Sequence, residues 1–310
     1  LGNNRYIKNS YYHEKTFFLR IGPRNLKFYA GIEHFAEWGG RRSDEQFDRS
    51  LSGFRNVLLA RETENMNSET DGGVHAGDHR GVLDGGVYWE TEGAAIHGYL
   101  QKPFEGKQDI DLHNKNILAG FIVSMKNNSR LEKVLFEFIS TRSINNSIAG
   151  SKQESYYNNS VYKTGWEYQN NIIGTPLFLN TTRASKYFPK MRPFDWNVAD
   201  SSIPGNANII NNRVFAMHTG AIYSITEVVG AKTLLTYTKN YGSLNNTTLF
   251  APGKRQFYGL QEVYFRVPDK NLTVKAAIGL DIGQLTAVTG FLFGIEWSFP
   301  GHKNSEYDIR

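Results

Sequence analysis

Hydrophobic and polar residues alternate one by one along much of the chain, which is the period of a β-strand with one apolar and one polar side. The segment at residues 26–38 shows this clearly: its apolar side carries Leu26, Phe28, Ala30 and Ile32, and its polar side carries Lys27, Gly31, Glu33 and Glu37. Residues 272–282 and 286–299 alternate in the same way. The pattern predicts an all-β protein.

Eleven segments are predicted as strands, and the tight turns between several of them predict antiparallel hairpins. They are 15–22, 26–38, 81–91, 94–103, 116–126, 131–142, 214–226, 232–240, 256–267, 272–282 and 286–299. A twelfth strand within 172–180 is the main alternative to this count. A short helix is also predicted after Ser43, from an acidic start and from apolar spacing at Phe47, Leu51, Phe54 and Leu58.

The lengths of the connections favour one of two architectures that the alternation leaves open. A soluble β-sandwich would alternate in the same way. Here, short and long connections take turns along the chain, and the longest are residues 39–79 and 143–210. Outer-membrane barrels have short periplasmic turns and long extracellular loops, so we predict one antiparallel transmembrane outer-membrane β-barrel domain over residues 1–310, with about 11–12 strands and a periplasmic C-terminus.

The strand count has a consequence for closure of such a barrel. Single-chain bacterial barrels usually have even numbers of strands. Eleven strands that begin and end with one running toward the periplasm imply that an odd number of further strands precedes Leu1 in a complete domain. The first residues also look like the middle of a domain and not like a signal peptide, so we expect a mature or truncated chain.

Composition narrows the functional classes. Aromatic residues make up 14% and charged residues 21% of the chain, which fits aromatic girdles better than a soluble enzyme. There is no cysteine, so disulfides and thiolate chemistry are excluded. The net charge of +5 favours an anionic partner such as acidic polysaccharide or lipopolysaccharide. Nucleic acid is not expected, because the longest basic run is Arg41-Arg42 and no recognition motif accompanies it.

The candidate binding residues cluster around the loop at 154–179, which is rich in aromatic residues and asparagine. Flat rings stack on sugar faces, amides bond hydroxyls, and cations meet acidic sugars. The predicted polysaccharide-binding set is Tyr156, Tyr157, Asn158, Asn159, Trp166, Tyr168, Arg183, Lys186 and Arg192, with Lys190 between the last two. The alternative is structural: the rings pack the loop into the barrel mouth and the asparagines cap its turns.

Other polar clusters carry weaker signals. Glu33, His34 and Glu37 form a conceivable metal or acid–base group, but a network of carboxylates with Lys or Arg inside a barrel is the favoured interpretation. His75, Asp78 and His79 have no standard metal spacing. The sequence also contains no nucleophile motif. We therefore expect neither catalysis nor a metal or other cofactor.

Several segments resemble Wzi-type capsule-assembly proteins of Gram-negative outer membranes, particularly those of Bacteroidetes. They occur in the family's order from about residue 14 to 299, and the 156–177 segment, with tandem Asn, GW and IGxPL, is the most specific. The segments are GIEHFAEWGG (31–40), HGYLQKPFEG (97–106), YYNNSVYKTGWEYQNNIIGTPL (156–177), NRVFAMHTGA (212–221) and TYTKNYGS (236–243).

The resemblance implies an outer-membrane barrel of about eighteen strands with a small periplasmic helical part. It also implies a lectin-like role in holding capsular polysaccharide at the cell surface. The chain departs from the family pattern in one respect: the N-terminal third of the family domain, with roughly seven strands, has no counterpart here, which agrees with the parity argument.

Three functions follow as hypotheses. The first is a non-enzymatic outer-membrane barrel that binds or organises capsular polysaccharide through its extracellular loops. The second is a structural subunit of a larger outer-membrane secretion or nutrient-uptake complex. A pore is the third, and plugging by the long loops argues against it. A lectin is expected to expose Trp166 and the 183–192 cations, whereas a scaffold is expected to bury them against a partner.

Overall fold

The computed structural model describes residues 4–42, 45–46, 49–59, 77–105, 115–126, 129–143, 156–198, 203, 207–243, 247–268 and 270–298. The described part is an all-β fold with three short helices. Its elements are β1 (Tyr11–Ile21), β2 (Leu26–Trp38), β3 (Arg41–Arg42), β4 (Glu45–Gln46), α1 (Leu51–Leu58), β5 (Asp78–Glu90), β6 (Ala94–Phe104), β7 (Ile117–Met125), β8 (Leu131–Ser140), β9 (Glu167–Tyr168), β10 (Asn171–Ile172), β11 (Leu179–Asn180), α2 (Thr181–Ala184), β12 (Ile209–Asn211), β13 (Val214–Ser224), β14 (Val229–Asn240), α3 (Thr247–Phe250), β15 (Lys254–Val267), β16 (Leu272–Gly283) and β17 (Ala287–Trp297).

One antiparallel sheet contains all eleven predicted long strands. Its order is β1-β2-β5-β6-β7-β8-β13-β14-β15-β16-β17, so each strand pairs with the next long strand along the chain. The prediction of eleven strands is confirmed, although several ends move: β1 begins at Tyr11, and β14 begins at Val229. The alternative twelfth strand is wrong, because residues 172–180 supply only parts of small two-stranded pairs. Among the described residues, β1 and β17 do not pair with each other.

The two ends of the sheet differ in their connections. Residues 22–25, 91–93, 126–130, 225–228 and 268–271 connect strands at the short-turn end. Residues 39–77, 105–116, 141–213, 241–253 and 284–286 connect them at the opposite, long-loop end. The predicted alternation of short and long connections is therefore confirmed, with one compact turn among the latter.

The sheet has one apolar and one polar face, because residues paired across an antiparallel ladder point to the same side. The polar face carries Glu33, Asp84, His97, Gln101, Glu137, His218, Lys232, Glu262, Lys275 and Glu296. Large apolar side chains on the other face are exposed along its whole width. They include Phe17, Leu19, Phe28, Ile32, Trp89, Leu100, Phe121, Met217, Leu235, Phe257, Val263, Phe265, Ile282, Phe291, Phe293, Ile295 and Trp297.

Helix α1 covers one corner of the apolar face at the long-loop end. Its Val57 packs with Ala36 and Trp38 of β2, with Phe54 beside them. Ser50 caps the helix by accepting a hydrogen bond from the Gly53 amide. The predicted helix is confirmed in its second half; Ser43 and Phe47 lie outside the described residues. No helix in the described ranges is long and apolar enough to span a membrane.

Two tyrosines of the polar face lie across glycines on neighbouring strands. A Cβ added at Gly86 would lie 2.6 Å from Tyr29 Cε1 and 2.4 Å from the Gly98 carbonyl oxygen. One added at Gly120 would meet the Tyr99 side chain and the Phe136 carbonyl. By contrast, Gly290 on β17 has open space around its Cα. Gly86 of β5 and Gly120 of β7 therefore leave space that a tyrosine ring of a neighbouring strand fills. The space beside Gly290 of β17 is not filled by a neighbouring side chain.

We predict that Gly86→Ala destabilises the protein by about 1–3 kcal/mol, because the new methyl group meets a backbone oxygen and the Tyr29 ring. Gly290→Ala is the matched control on the same face, and we expect it to be neutral within about 0.5 kcal/mol. Urea unfolding of the purified protein measures both. Equal effects of the two substitutions would contradict the proposed packing of Tyr29 over Gly86.

Candidate functional site

The polar side of the sheet is filled at its long-loop end by residues 156–198 and 207–212, here called the loop cap. Tyr156, Ile172, Phe178 and Ile209 pack against Val214 and Ala216 at the start of β13. A second cluster joins the cap to α3 and to the β16–β17 turn, and consists of Leu179, Ala184, Ile210, Phe250 and Leu285. A third joins it to the segment before β1, through Tyr6, Ile7, Tyr162, Trp196 and Ile203. The cap is thus packed on three sides.

A buried ion pair ties the segment before β1 to the sheet and to the cap. Arg5 and Glu37 are 3% and 2% exposed, and Arg5 Nη2 lies 2.6 Å from Glu37 Oε2. Arg5 also donates to the carbonyl oxygens of Gly165, at 3.0 Å, and Glu167. The Ser10 hydroxyl donates to Glu37 Oε1 at 2.7 Å. Each partner of the pair therefore has further hydrogen bonds, which a buried ion pair requires to offset its desolvation.

Trp166 lies at the centre of a second buried group. Its indole Nε1 donates to Asp78 Oδ2 at 2.7 Å, and Asp78 also accepts from Arg80. Arg80 pairs with Glu105 as well, and its guanidinium lies 4.8 Å from the Trp166 ring. The Trp166 side is packed by the edges of the Tyr12 and Phe35 rings. The indole is 4% exposed, so no ring face is open to a ligand.

Glu167 is a buried carboxylate within the cap. Its Oε2 accepts hydrogen bonds from Asn180 Nδ2 at 2.5 Å and from Asn208 Nδ2 at 3.0 Å. Burial raises the pKa of Glu167 from its ordinary value, and the two amides and the charge of Arg5 oppose that shift. Asn180 also caps α2 by accepting from the Arg183 amide. One carboxylate therefore connects the β9–β10 hairpin to β11 and to the residue that precedes β12.

The tandem asparagines have structural roles. Asn158 bonds both the amide and the carbonyl of Ile209, with distances of 2.9 Å, and so replaces a strand partner. Asn159 Oδ1 accepts from the amides of Val161 and Tyr162, which closes a turn. Tyr156 is buried, and the amide of its neighbour Tyr157 donates to Glu105 Oε1 at 2.7 Å.

The outer surface of the cap carries the exposed members of the predicted set. Tyr168 is 48% exposed at the β9–β10 hairpin. Its turn residues Gln169 and Asn170 both have positive φ, at 48° and 65°, which is the geometry of a two-residue hairpin loop. Lys186, Lys190 and Arg192 are exposed after α2, and Arg183 is partly exposed. Arg192 donates to the nearby carbonyls of Pro189 and Met191.

The structure thus divides the predicted binding residues into two groups. Tyr156, Asn158 and Trp166 are buried, and Tyr157 and Asn159 are held by the cap, as the structural alternative predicts. Tyr168, Lys186, Lys190 and Arg192 face outward. The lectin hypothesis expected both Trp166 and the cations to be exposed, and only the cations are.

The weaker clusters do not assemble into metal sites. Glu33 and Glu37 share the polar face of β2, and His34 lies on the other side, as predicted. Asp78 and His79 likewise point to opposite faces of β5: Asp78 bonds Trp166, and His79 Nδ1 lies 3.1 Å from His34 Nε2. His75 lies outside the described residues. No group of three metal-ligating side chains occurs in the described ranges.

Sequence reasoning missed the charged groups that hold the cap. Arg5, Arg80 and Glu105 were not singled out, and Asp78 was considered only beside histidines. The signal lay just outside the predicted strand 81–91: extending that strand by three residues, as β5 does, places Asp78 and Arg80 on the same polar side as Glu37 of β2. No comparable signal marks Arg5, because it lies before the first strand in a segment without alternation.

Comparisons with known proteins add no relative. No protein-family model matches the chain, and neither a curated protein nor a solved structure matches it.

We predict that Arg5→Met destabilises the cap by about 3–5 kcal/mol, because it leaves the Glu37 charge buried without a cation. Adding Glu37→Gln to Arg5→Met removes that charge and is expected to restore part of the loss. Limited proteolysis within 156–198 and urea unfolding both measure the loss in the single variant and the partial recovery in the double variant. Additive losses in the double variant would contradict a direct pairing of the two side chains.

The raised pKa of Glu167 predicts a pH dependence. Its folded pKa lies above its unfolded value of about 4.5, so its contribution is fully present below that value and is lost as pH rises through the folded pKa. Glu167→Gln lacks this titration. We therefore expect the stability of the variant relative to the wild type to increase with pH from about 4.5 upward. Urea unfolding of both proteins across this range measures the difference; a constant difference would exclude the shift.

Proposed function

We propose that the chain forms the wall of an outer-membrane β-barrel whose loop cap plugs the extracellular mouth and presents cations to an acidic surface polysaccharide. The observation that carries the membrane part is the exposed apolar face. Large apolar patches on soluble monomers rarely exceed a few hundred Å². Here at least seventeen large apolar side chains are exposed, on ten of the eleven adjoining strands. Such an apolar surface fits lipid hydrocarbon. A β-barrel can lie in hydrocarbon because its backbone groups are hydrogen-bonded to one another within the sheet.

The arrangement of connections supports an orientation in the membrane. Short turns lie in the periplasm and long loops outside in bacterial barrels. By that rule the loop cap is extracellular and the end of β17 is periplasmic. The cap's three packed clusters and its buried ion pairs then block the mouth, which argues against the pore hypothesis.

The exposed side chains of the cap support the polysaccharide part of the proposal. Lys186, Lys190 and Arg192 lie within seven residues of one another and are exposed, and Tyr168 offers a half-open ring. Cations bind the carboxylates of acidic sugars, and a tyrosine ring stacks on a sugar face. The buried Trp166 is excluded from direct contact and serves instead to hold the cap. A capsule-attachment role like that of Wzi-type proteins, without catalysis, is the function we propose on this basis.

A second candidate, a structural subunit of a larger outer-membrane complex, is favoured by the open edges of the sheet. Phe17 and Phe18 of β1 point to opposite faces and are both exposed, as are Phe291 and Leu292 of β17. Strands β1 and β17 both run from the long-loop end to the short-turn end, so either edge would meet the other, or a second copy, in parallel. An all-antiparallel closure needs an odd number of further strands, supplied by this polypeptide or by a partner.

Binding of the detergent-solubilised full-length protein to the acidic capsular polysaccharide of its own bacterium tests the first proposal. We expect the triple variant Lys186→Gln, Lys190→Gln and Arg192→Gln to bind about tenfold more weakly, since each exposed charge contact contributes up to about 1 kcal/mol. The affinity should also fall with added salt, because the contacts are exposed.

The matched control is the triple variant Arg24→Gln, Arg130→Gln and Lys270→Gln, which removes three exposed cations at the short-turn end. It is expected to bind like the wild type. If both triple variants lose affinity equally, binding reflects net charge and not the cap. If the folded protein binds no polysaccharide and co-purifies with a strand-forming partner, the second candidate replaces the first.

A further inference from the structure

A second cationic surface lies at the long-loop end, away from the loop cap and on the apolar side of the sheet. The ladder of β8, β13 and β14 continues one or two residues past the strands: the Thr141 amide donates to the Val214 carbonyl, and the Tyr241 amide donates to the Arg213 carbonyl. Residues alternate sides along these extensions. Arg142, Arg213, Lys239 and Tyr241 therefore point to the same side as the exposed Met217 and Tyr237.

These side chains form a compact group. The Arg142 guanidinium lies 4.3 Å from the centre of the Tyr241 ring, and Lys239 Nζ lies 5.3 Å from the same centre. Burial lowers the pKa of Arg213 from its ordinary value, with the positive charge of Arg142 as the second cause. Arg255 on β15 adds a fourth cation in the same row, because it lies directly opposite Lys239 of β14. Four cationic side chains thus lie in one row, and two of them, Arg142 and Lys239, lie over the Tyr241 ring.

Within the described part of the chain, this group lacks the acidic partners that the buried Arg5 and Arg80 have. Arg5 and Arg80 pair with carboxylates, but in the described ranges none of these four cations forms an ion pair. The buried Nε of Arg213 has no hydrogen-bond partner in the described structure. A tyrosine ring stabilises a neighbouring cation but leaves its N–H donors unused. The arrangement therefore offers donors and uncompensated charge to an anion with several oxygens.

Immediately below this row the sheet becomes apolar. Along β13, Arg213 is followed on the same side by Phe215 and Met217, and the Phe215 ring contacts Phe138 of β8 at 5.3 Å. Tyr237 and Phe257, on β14 and β15, are partly exposed at the same level. The ligand that suits both parts is an amphiphile with an anionic head and hydrocarbon chains.

We propose that Arg142, Arg213 and Lys239, with Arg255 beside them, bind the phosphate groups of an outer-leaflet glycolipid, whose acyl chains lie along the apolar face. Guanidinium groups match phosphate oxygens with two parallel hydrogen bonds. Lipid phosphates lie at the membrane surface, which is where the long-loop end of the strands is placed by the proposed orientation. The inference rests on the membrane part of the proposed function and is independent of polysaccharide binding by the cap.

The test uses the detergent-solubilised full-length protein with two probes, bis-phosphorylated lipid A and the same lipid after removal of both phosphates. We expect the wild type to prefer the phosphorylated lipid. The double variant Arg142→Gln and Arg213→Gln should bind it at least about tenfold more weakly, since two charged hydrogen-bonding groups are lost. The control variant Arg24→Gln and Arg130→Gln removes the same charge at the short-turn end and should bind like the wild type.

Inorganic phosphate alone is the third arm, because it shares the head-group chemistry but has no chains. Binding of phosphate as tightly as lipid A would overturn the lipid assignment. So would equal binding of the two lipids, or wild-type affinity in the Arg142/Arg213 variant. If that variant does not fold, as judged by near-ultraviolet circular dichroism, Lys239→Gln alone replaces it, with a smaller loss of affinity expected and no loss contradicting the site.

The two proposals fail separately in these experiments. Loss of lipid binding in the Arg142/Arg213 variant with polysaccharide binding retained supports a lipid site distinct from the cap. A wild-type protein that binds lipid A but no polysaccharide keeps the lipid site and removes the capsule role. A protein that does not enter lipid bilayers at all removes the membrane part of the proposed function, and the lipid site with it.

Discussion

The alternation of side chains across an antiparallel strand is the constraint on which the rest of the structure depends. A shift of one residue in any register would exchange the two faces of that strand. The registers of eleven strands in succession keep the large exposed apolar residues mainly on one side and most of the charged residues on the other. The positions of both proposed sites follow from this. The loop cap lies on the polar side, and the Arg142 group lies on the apolar side at the long-loop end.

Arginine side chains have different neighbours at the two sites. Against the cap, Arg5 and Arg80 are buried beside carboxylates, and Arg5 also bonds carbonyl oxygens of the cap, so the packing is fixed. On the other side, Arg142 and Arg213 lie beside each other, and the neighbour they share is the ring of Tyr241. Buried pairs add specificity to how the cap fits, whereas an uncompensated group is suited to an external anion. The same residue type thus has a structural role in one place and a proposed binding role in the other.

The sheet was predictable because its signal is local and repeated. Eleven alternating segments and their turns gave the strand order without any long-range information, and only the ends shifted, as at Val229, where Gly230 and Ala231 weaken the alternation. The loop cap was not predictable in detail. Its aromatic and asparagine content suggested ligand binding and packing equally well, and what separates Trp166 from Tyr168 is the position of Asp78, 88 residues away. Such pairings leave no periodic trace in the sequence.

The contacts that attach the cap also affect the order in which the protein is expected to fold. Arg5 bonds to Glu167 across 162 residues, and Tyr6 bonds to Thr164 across 158. Contacts of this separation form only after the intervening chain has been brought together, at a cost in chain entropy. The hairpins of the sheet, in contrast, close over a few residues. We therefore expect the contacts that attach the cap to form after the hairpins of the sheet.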